Sequence, residues 1–249
     1  MTASKASCRE QIEREGFAVR RGVFAGKQVD QILSALEEAL RGPRGAAAGV
    51  RSESGTLYAA RNILEVWPDA ATAWQTPPLT GALTEVLGPD FGLVRVLYFD
   101  KPPNQSWALP WHKDMTIAVR DNRLPSRLFA KPTCKAGVPH VEAPREVLER
   151  MLTARIHLDD VTEENGPLKV IPGSHHAEKA LSDATAHPVA VLAERGDVLL
   201  MRPLVDHASG KSFPDTTRHR RILHLEFAAD RELPDGYAWH HFVTVRRGS

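Results

Sequence analysis

Apolar positions along this chain follow two different periods. In the first third they recur at helical spacing. Val29, Ile32, Leu33, Leu36 and Leu40 fall on one face of a helix over 27–41, with Asp30, Gln31, Glu37 and Glu38 off it. The same spacing predicts a helix over 9–21, set apart by a short break at Gly22–Gly26, and another over 79–87 stopped by Gly88-Pro89. Between them, GPRGAAAGVRSESG at 42–55 is small, glycine-rich and polar, and predicts a mobile loop.

From residue 93 onward the pattern changes to short apolar runs. Strands are predicted over 93–100, 107–119, 153–160, 167–171, 188–192, 197–202, 221–228 and 239–245. Asn165-Gly166, Gly173 and Gly196-Asp197 punctuate them. Many short strands with turns between them imply a mainly β barrel or jelly roll with flanking helices, not alternating βαβ units. Residues 120–145, rich in Pro, Arg and Lys, form the main irregular insertion and are expected to act as a lid or binding loop. REVLERML at 145–152 returns the chain as a short helix. One domain over 1–249 is expected: a helical part over about 1–90 packed on a β core over about 91–249.

Composition narrows the class further. Hydrophobic residues at 42% and charged residues at 25% describe a globular chain, which excludes a disordered, collagen-like or coiled-coil protein. Lys+Arg 32 against Asp+Glu 31 leaves a net charge of +1, so neither a dedicated nucleic-acid binder nor a charged membrane-surface protein is indicated. Cys8 and Cys134 cannot build a disulfide framework or a four-cysteine zinc site, which points to a reducing, cytoplasmic setting. No secretory-type apolar segment and no run long enough to span a membrane is present in the sequence.

The sharpest chemistry lies in WHKDMTI at 111–117. On a strand, His112 and Asp114 share a face and Lys113 points the other way. GDVLLMRPLVDHAS at 196–209 supplies His207, far too distant for a zinc-finger spacing but suited to a later strand of a closed sheet. Two histidines and one carboxylate on one face leave open coordination positions, the arrangement of non-haem Fe(II) oxygenases. Such iron works with an organic-acid co-substrate, and an arginine fork matches a carboxylate. RRILHLEFA at 220–228 offers Arg220 and Arg221, whose side chains face opposite ways, so one of them enters the barrel.

Taken with NGPLKVIPGSHH at 165–176 and the opening EREGFAVRRGVFAGKQVDQIL, these strings resemble the phytanoyl-CoA dioxygenase family. The resemblance extends over most of the chain, and the Asn-Gly-Pro-Leu to Pro-Gly-Ser-His segment is its most specific part. It implies a double-stranded β-helix core of the jelly-roll or cupin-like kind and a 2-oxoglutarate-dependent Fe(II) dioxygenase. By resemblance, His112, Asp114 and His207 match the iron ligands, Arg220 the arginine on the distal carboxylate of 2-oxoglutarate, and Ser209 a hydroxyl that supports it. Lys113 stands where the family often has Gln, and the spacing from His207 to Arg220 is longer than usual, so Arg218 and Arg221 remain alternatives. The intact Asp114 implies oxidation, as a hydroxylase acting on a small molecule with O2, and not halogenation.

Other residues carry weaker expectations. His157 and His224 read as satisfied core histidines or as supports behind the ligands, and His175 and His176 stand outside the ligand set. Asp159-Asp160 reads as a strand-end pair. Arg61 and the basic residues of the insertion (Arg120, Arg123, Arg127, Lys131, Lys135) could reach over the centre toward an anionic substrate, and Trp107 lies in the approach to it. Rival readings are a cupin-like metal-dependent hydrolase or isomerase, a non-catalytic barrel that binds a small acid, and a structural interaction module. Consumption of 2-oxoglutarate separates the first two from the oxygenase.

Overall fold

A computed structural model of the chain describes residues 6–103, 106–177 and 187–244. Helix α1 (Cys8–Glu15) opens on a capping box between Ser7 and Glu10 and closes at Gly16, which sits at φ 82°. The chain then turns to strand β1 (Phe17–Arg20), which pairs antiparallel with β12 (Val198–Met201). The helix expected over 9–21 therefore stops at its midpoint. Its second half has helical spacing, but its partner strand provides backbone bonds that a frayed helix end could not.

Helix α2 (Gly26–Arg41) buries Val29, Ile32, Leu33, Leu36 and Leu40, the predicted face. The loop expected over 42–55 is ordered. It forms α3 (Pro43–Ala48) and β2 (Gly49–Arg51), which pairs with β3 (Leu57–Ala60). Its small residues serve close packing: a Cβ on Gly45 would lie 2.4 Å from the Leu40 Cα. Helices α4 (Ile63–Val66) and α5 (Pro77–Leu87) complete the N-terminal part, and Gly88 caps α5.

Strand β4 (Gly92–Lys101) is followed by β5 (Leu109–His112) and β6 (Thr116–Ala118). The single strand expected over 107–119 is thus two, and they belong to different sheets. The insertion over 120–145 holds a hairpin, β7 (Ala130–Lys135) and β8 (Val138–Glu142), turned at Ala136-Gly137 with both residues at positive φ and paired with β6. Helix α6 (Arg145–Leu148) is a single turn, shorter than the 145–152 expected, because Met151 already enters β9 (Met151–His157). Strands β10 (Leu168–Val170), β11 (Val189–Val191) and β14 (Arg220–Ala228) follow the expected runs, and β13 (His207–Ser209) is a further short strand outside them. The run at 239–245 reduces to a bridge at Trp239 and β15 (Val243–Thr244), and residue 245 lies outside the described residues.

Two sheets face each other as a double-stranded β-helix. The larger runs β1-β12-β9-β14-β4-β3-β2 with β15 on β4, and the smaller runs β11-β10-β13-β5. The N-terminal part is therefore not only helical, since β1, β2 and β3 lie within the larger sheet. Side chains alternate across that sheet. Leu223, Leu225 and Phe227 of β14, with Ala154 and Ile156 of β9, join α1, α2 and α5 in the main core. Their sequence neighbours Arg220, His224 and Glu226, with Arg155, face the other way, into the space between the sheets. No described helix is long and apolar enough to cross a membrane.

Candidate metal centre and co-substrate cavity

His112 ends β5 and His207 opens β13, and the two are paired directly in the register of the smaller sheet. Their rings stand 4.1 Å apart. Asp114 does not share a strand with His112, as strand alternation implied. It lies in the irregular link between β5 and β6, where its N–H donates to the Pro203 carbonyl. Lys113 anchors this link from behind. Its buried ammonium forms an ion pair with Asp206 at 3.0 Å and donates to the carbonyls of Ser174 and Leu204 at 2.9 and 2.7 Å. Lys113 points away from the cavity, as expected, and holds the loop that presents Asp114.

The three side chains converge. Asp114 Oδ1 is 3.8 Å from His112 Nε2 and Oδ2 is 3.5 Å from His207 Nε2, and one donor atom from each residue fits within a 4.8 Å group. A divalent first-row ion bonds N and O at about 2.0–2.2 Å, so neighbouring donors stand roughly 3 Å apart and this set has the right scale. The tautomers also suit a metal. Nδ1–H of His112 donates to the Pro110 carbonyl at 2.8 Å and that of His207 to the Val205 carbonyl at 2.9 Å, leaving both Nε2 lone pairs facing Asp114. Burial pushes His207 down to about 4, against the pull of Asp114, so it is neutral at pH 7. Burial would raise the Asp114 carboxyl, but His207, His224 and His112 bring it down to about 2.

These residues line a cavity of about 320 Å³ between the sheets. Of the three arginines considered for a carboxylate, Arg220 lines it, buried, with its Nε lacking any partner. Burial and the neighbouring Arg155 push Arg220 down to about 9, with Asp100 acting the other way. Arg221 points to the opposite face and binds Asp159 and Glu37. Arg218 is exposed beside Glu164. Ser209 also lines the cavity and accepts from Lys101 Nζ at 3.1 Å. A buried guanidinium whose Nε has no partner, in the same cavity as a hydroxyl, is a fitting receptor for an acid.

Several lining residues were not foreseen. Arg95 pairs with Glu226, His224 Nε2 lies 3.4 Å from Glu226, and Arg155 reaches His224 Nδ1 at 3.3 Å. Lys101, fully buried behind Ser209 and not itself part of the lining, is held down to about 6 by burial first and then by Arg220 and Arg155. The signal was present: polar residues at every second position of otherwise apolar strands mark the inward face. His224 is satisfied by Arg155 and Glu226, whereas His157, read in the same way, is buried with both ring nitrogens unpartnered. His175 turns to the Glu13 carbonyl, away from the cavity. Asp159 and Asp160 bind Arg221 and the Arg195 N–H, as a strand-end pair should. Arg61, Trp107 and Lys135 do line the cavity, while the other basic residues of the insertion do not. A second cluster, Glu65 with His240 and His241 at 3.0 and 3.7 Å, lies apart at the surface.

Known proteins resemble this chain in sequence and in fold. The family described as phytanoyl-CoA dioxygenase matches residues 12–221. The chain is 33% identical over 115 residues to L-proline trans-4-hydroxylase of Streptomyces griseoviridis, covering 45% of this chain and 33% of that protein. It is 27% identical over 174 residues to ectoine dioxygenase of Bordetella parapertussis, covering 67% of this chain and 48% of that protein. The matches thus span half or less of those relatives' own lengths. The crystal structure of EctD from S. alaskensis in its apo form superposes with a TM-score of 0.71 at 20% identity, over 100% of this chain and 90% of that one. At that identity the likeness establishes the shared fold.

Proposed function

The chain belongs to the phytanoyl-CoA dioxygenase family, and from that premise we propose that it is an Fe(II)- and 2-oxoglutarate-dependent dioxygenase that hydroxylates a small organic molecule. One observation carries the reading: two imidazole Nε2 atoms and a carboxylate converge in the same cavity as an arginine whose buried Nε has no partner. His112, Asp114 and His207 would hold Fe(II), with the Nδ1–H bonds fixing both imidazole orientations and Lys113 fixing the loop of Asp114. Arg220 would pair with the distal carboxylate of 2-oxoglutarate, and Ser209 would donate its hydroxyl proton to the same group. The metal and its co-substrate supply O2 activation: substrate C–H, O2 and 2-oxoglutarate give alcohol, succinate and CO2. The protein's own share is orientation and exclusion of water. Leu97, Phe99, Trp107 and Leu168 wall the cavity with apolar surface, which strengthens every charge interaction inside it.

The test is anaerobic visible spectroscopy. The purified protein is titrated with Fe(II) and then 2-oxoglutarate, beside Asp114→Ala and Arg220→Gln. A charge-transfer band that requires both additions, is lost in Asp114→Ala and needs more 2-oxoglutarate in Arg220→Gln is the expected result. Iron bound without any band, or turnover that consumes no 2-oxoglutarate, would overturn the oxygenase reading in favour of a hydrolytic or acid-binding barrel.

A further inference from the structure

Beyond the residues assigned to metal and co-substrate, the cavity holds a second cationic pole. Arg61 follows β3 and presents its guanidinium to the cavity, where no protein acceptor meets it among the described residues. Lys135, at the end of the β7 strand, lines the same wall and, among the described residues, donates to Thr116 Oγ1 at 3.0 Å. Arg95 of β4 stands beside them, its Nε buried without a partner. Arg61 and Lys135 both feel this crowding: burial and then Arg95 lower Arg61, and burial, Arg95 and Arg61 lower Lys135. The carboxylate on that wall, Glu226, is already engaged by Arg95 and His224.

This pole is separate from the one at Arg220. Along β14, Arg220 pairs in register with Lys101 and Glu226 with Arg95, and at about 3.3 Å per residue the two pairs stand roughly 20 Å apart along the strand. His224, which lines the same cavity as His112, Asp114 and His207, lies between them along β14. The metal-ligand set is therefore flanked by an acid receptor on one side and converging cations on the other. Like charges gathered in a partly buried cavity are costly unless a counter-ion occupies it.

We propose that Arg61 and Lys135, backed by Arg95, form a subsite for an anionic group of the substrate, a carboxylate or a phosphate, at the end of the cavity away from Arg220. The inference rests on the reading of the centre as an Fe(II)/2-oxoglutarate site and names the substrate class that site accepts: a small acid, held by its charge with the oxidisable carbon toward Asp114. Molecules without such a group lack the anchor.

Methyl phosphate and acetate are the probes. The protein is loaded with Mn(II), a strongly relaxing substitute for Fe(II), and with saturating 2-oxoglutarate so that Arg220 is occupied. Relaxation of the phosphorus and methyl-proton signals is then followed as each probe is titrated, beside neutral trimethyl phosphate. Saturable enhancement by an anion and none by the neutral ester is expected, and the tighter anion tells phosphate from carboxylate. Arg61→Gln and Lys135→Gln should each weaken retention about tenfold, the loss of one charged hydrogen bond, while the exposed Arg127→Gln should not. Either variant that misfolds is recognised by its circular dichroism, and the other then decides. Absence of saturable enhancement in the wild type, or enhancement that survives both substitutions, overturns the subsite. The parent reading fails separately: no Fe(II)/2-oxoglutarate band with anion retention intact, read by calorimetry on metal-free protein, would leave the subsite standing and remove the oxygenase.

Discussion

Arg220 and Arg221 are chemically identical neighbours with opposite environments. One is buried in the cavity with no acid, and the other is clamped by Asp159 and Glu37 on the helix-covered face. Substitution separates these roles. Arg220→Gln should raise the half-saturating 2-oxoglutarate concentration at least about tenfold with Fe(II) binding retained. Arg221→Gln should leave that concentration unchanged and cost about 1–2 kcal/mol of stability, read by urea unfolding. Lys113 poses the same question in the interior. It and Asp206 are each 1% exposed, so Lys113→Met removes one half of a buried ion pair and should cost about 3–5 kcal/mol in the same measurement. The residue types at the site could be read from His-Lys-Asp and the distant His207. Of the cations that flank them, Arg220, Arg61 and Lys135 were legible as candidates, whereas the way they and Arg95 gather was not, because strand alternation marks the inward face but not which inward side chains meet.

At the level of elements, agreement was best where one face decides. Helix α2 buries its five predicted positions because a single apolar stripe has a single place to go. Disagreement came where a partner strand intervened. Residues 17–20 join β12, the hairpin β2-β3 extends the sheet edge at β4, and the insertion folds as a hairpin on β6. Each depends on a backbone partner far away in sequence, which local spacing does not encode. Gly16 marks the most sensitive of these junctions. At φ 82°, with an added Cβ placed 2.4 Å from Val205 Cγ2 and 2.6 Å from His175 Nδ1, Gly16→Ala should destabilise the fold by more than about 1 kcal/mol, seen as a lowered Tm.

Across the whole molecule, α1, α2 and α5 share one apolar cluster with β4, β9, β12 and β14. A single cooperative unfolding transition is expected, with fluorescence and far-UV circular dichroism coincident. Its midpoint should depend on pH. Burial holds His140 down to about 4, His157 to about 3 and His175 to about 4, against 6.5 for the unfolded chain. Between those values the unfolded chain binds protons that the folded one refuses, so stability is full above pH 6.5 and falls as the pH drops toward 3. Tm measured from pH 7.5 to 4 should decline accordingly. His157→Leu, which removes a buried imidazole with no partner on either nitrogen, should flatten part of that decline.

The amino-acid sequence by itself determined the helical face of α2 and the succession of short strands, and it offered His112, Asp114 and His207 as a candidate ligand set with Arg218, Arg220 and Arg221 as candidate arginines. These depend on local period and residue chemistry, which survive without a partner. Tertiary structure alone decided how Asp114 reaches His112. The strand breaks between them, and a lysine–aspartate pair and the Pro203 carbonyl orient the link. It also decided that Arg61 and Lys135, from separate segments, meet Arg95 on one wall. Convergence of like charges is a property of distance in space, and closing two sheets on each other sets that distance.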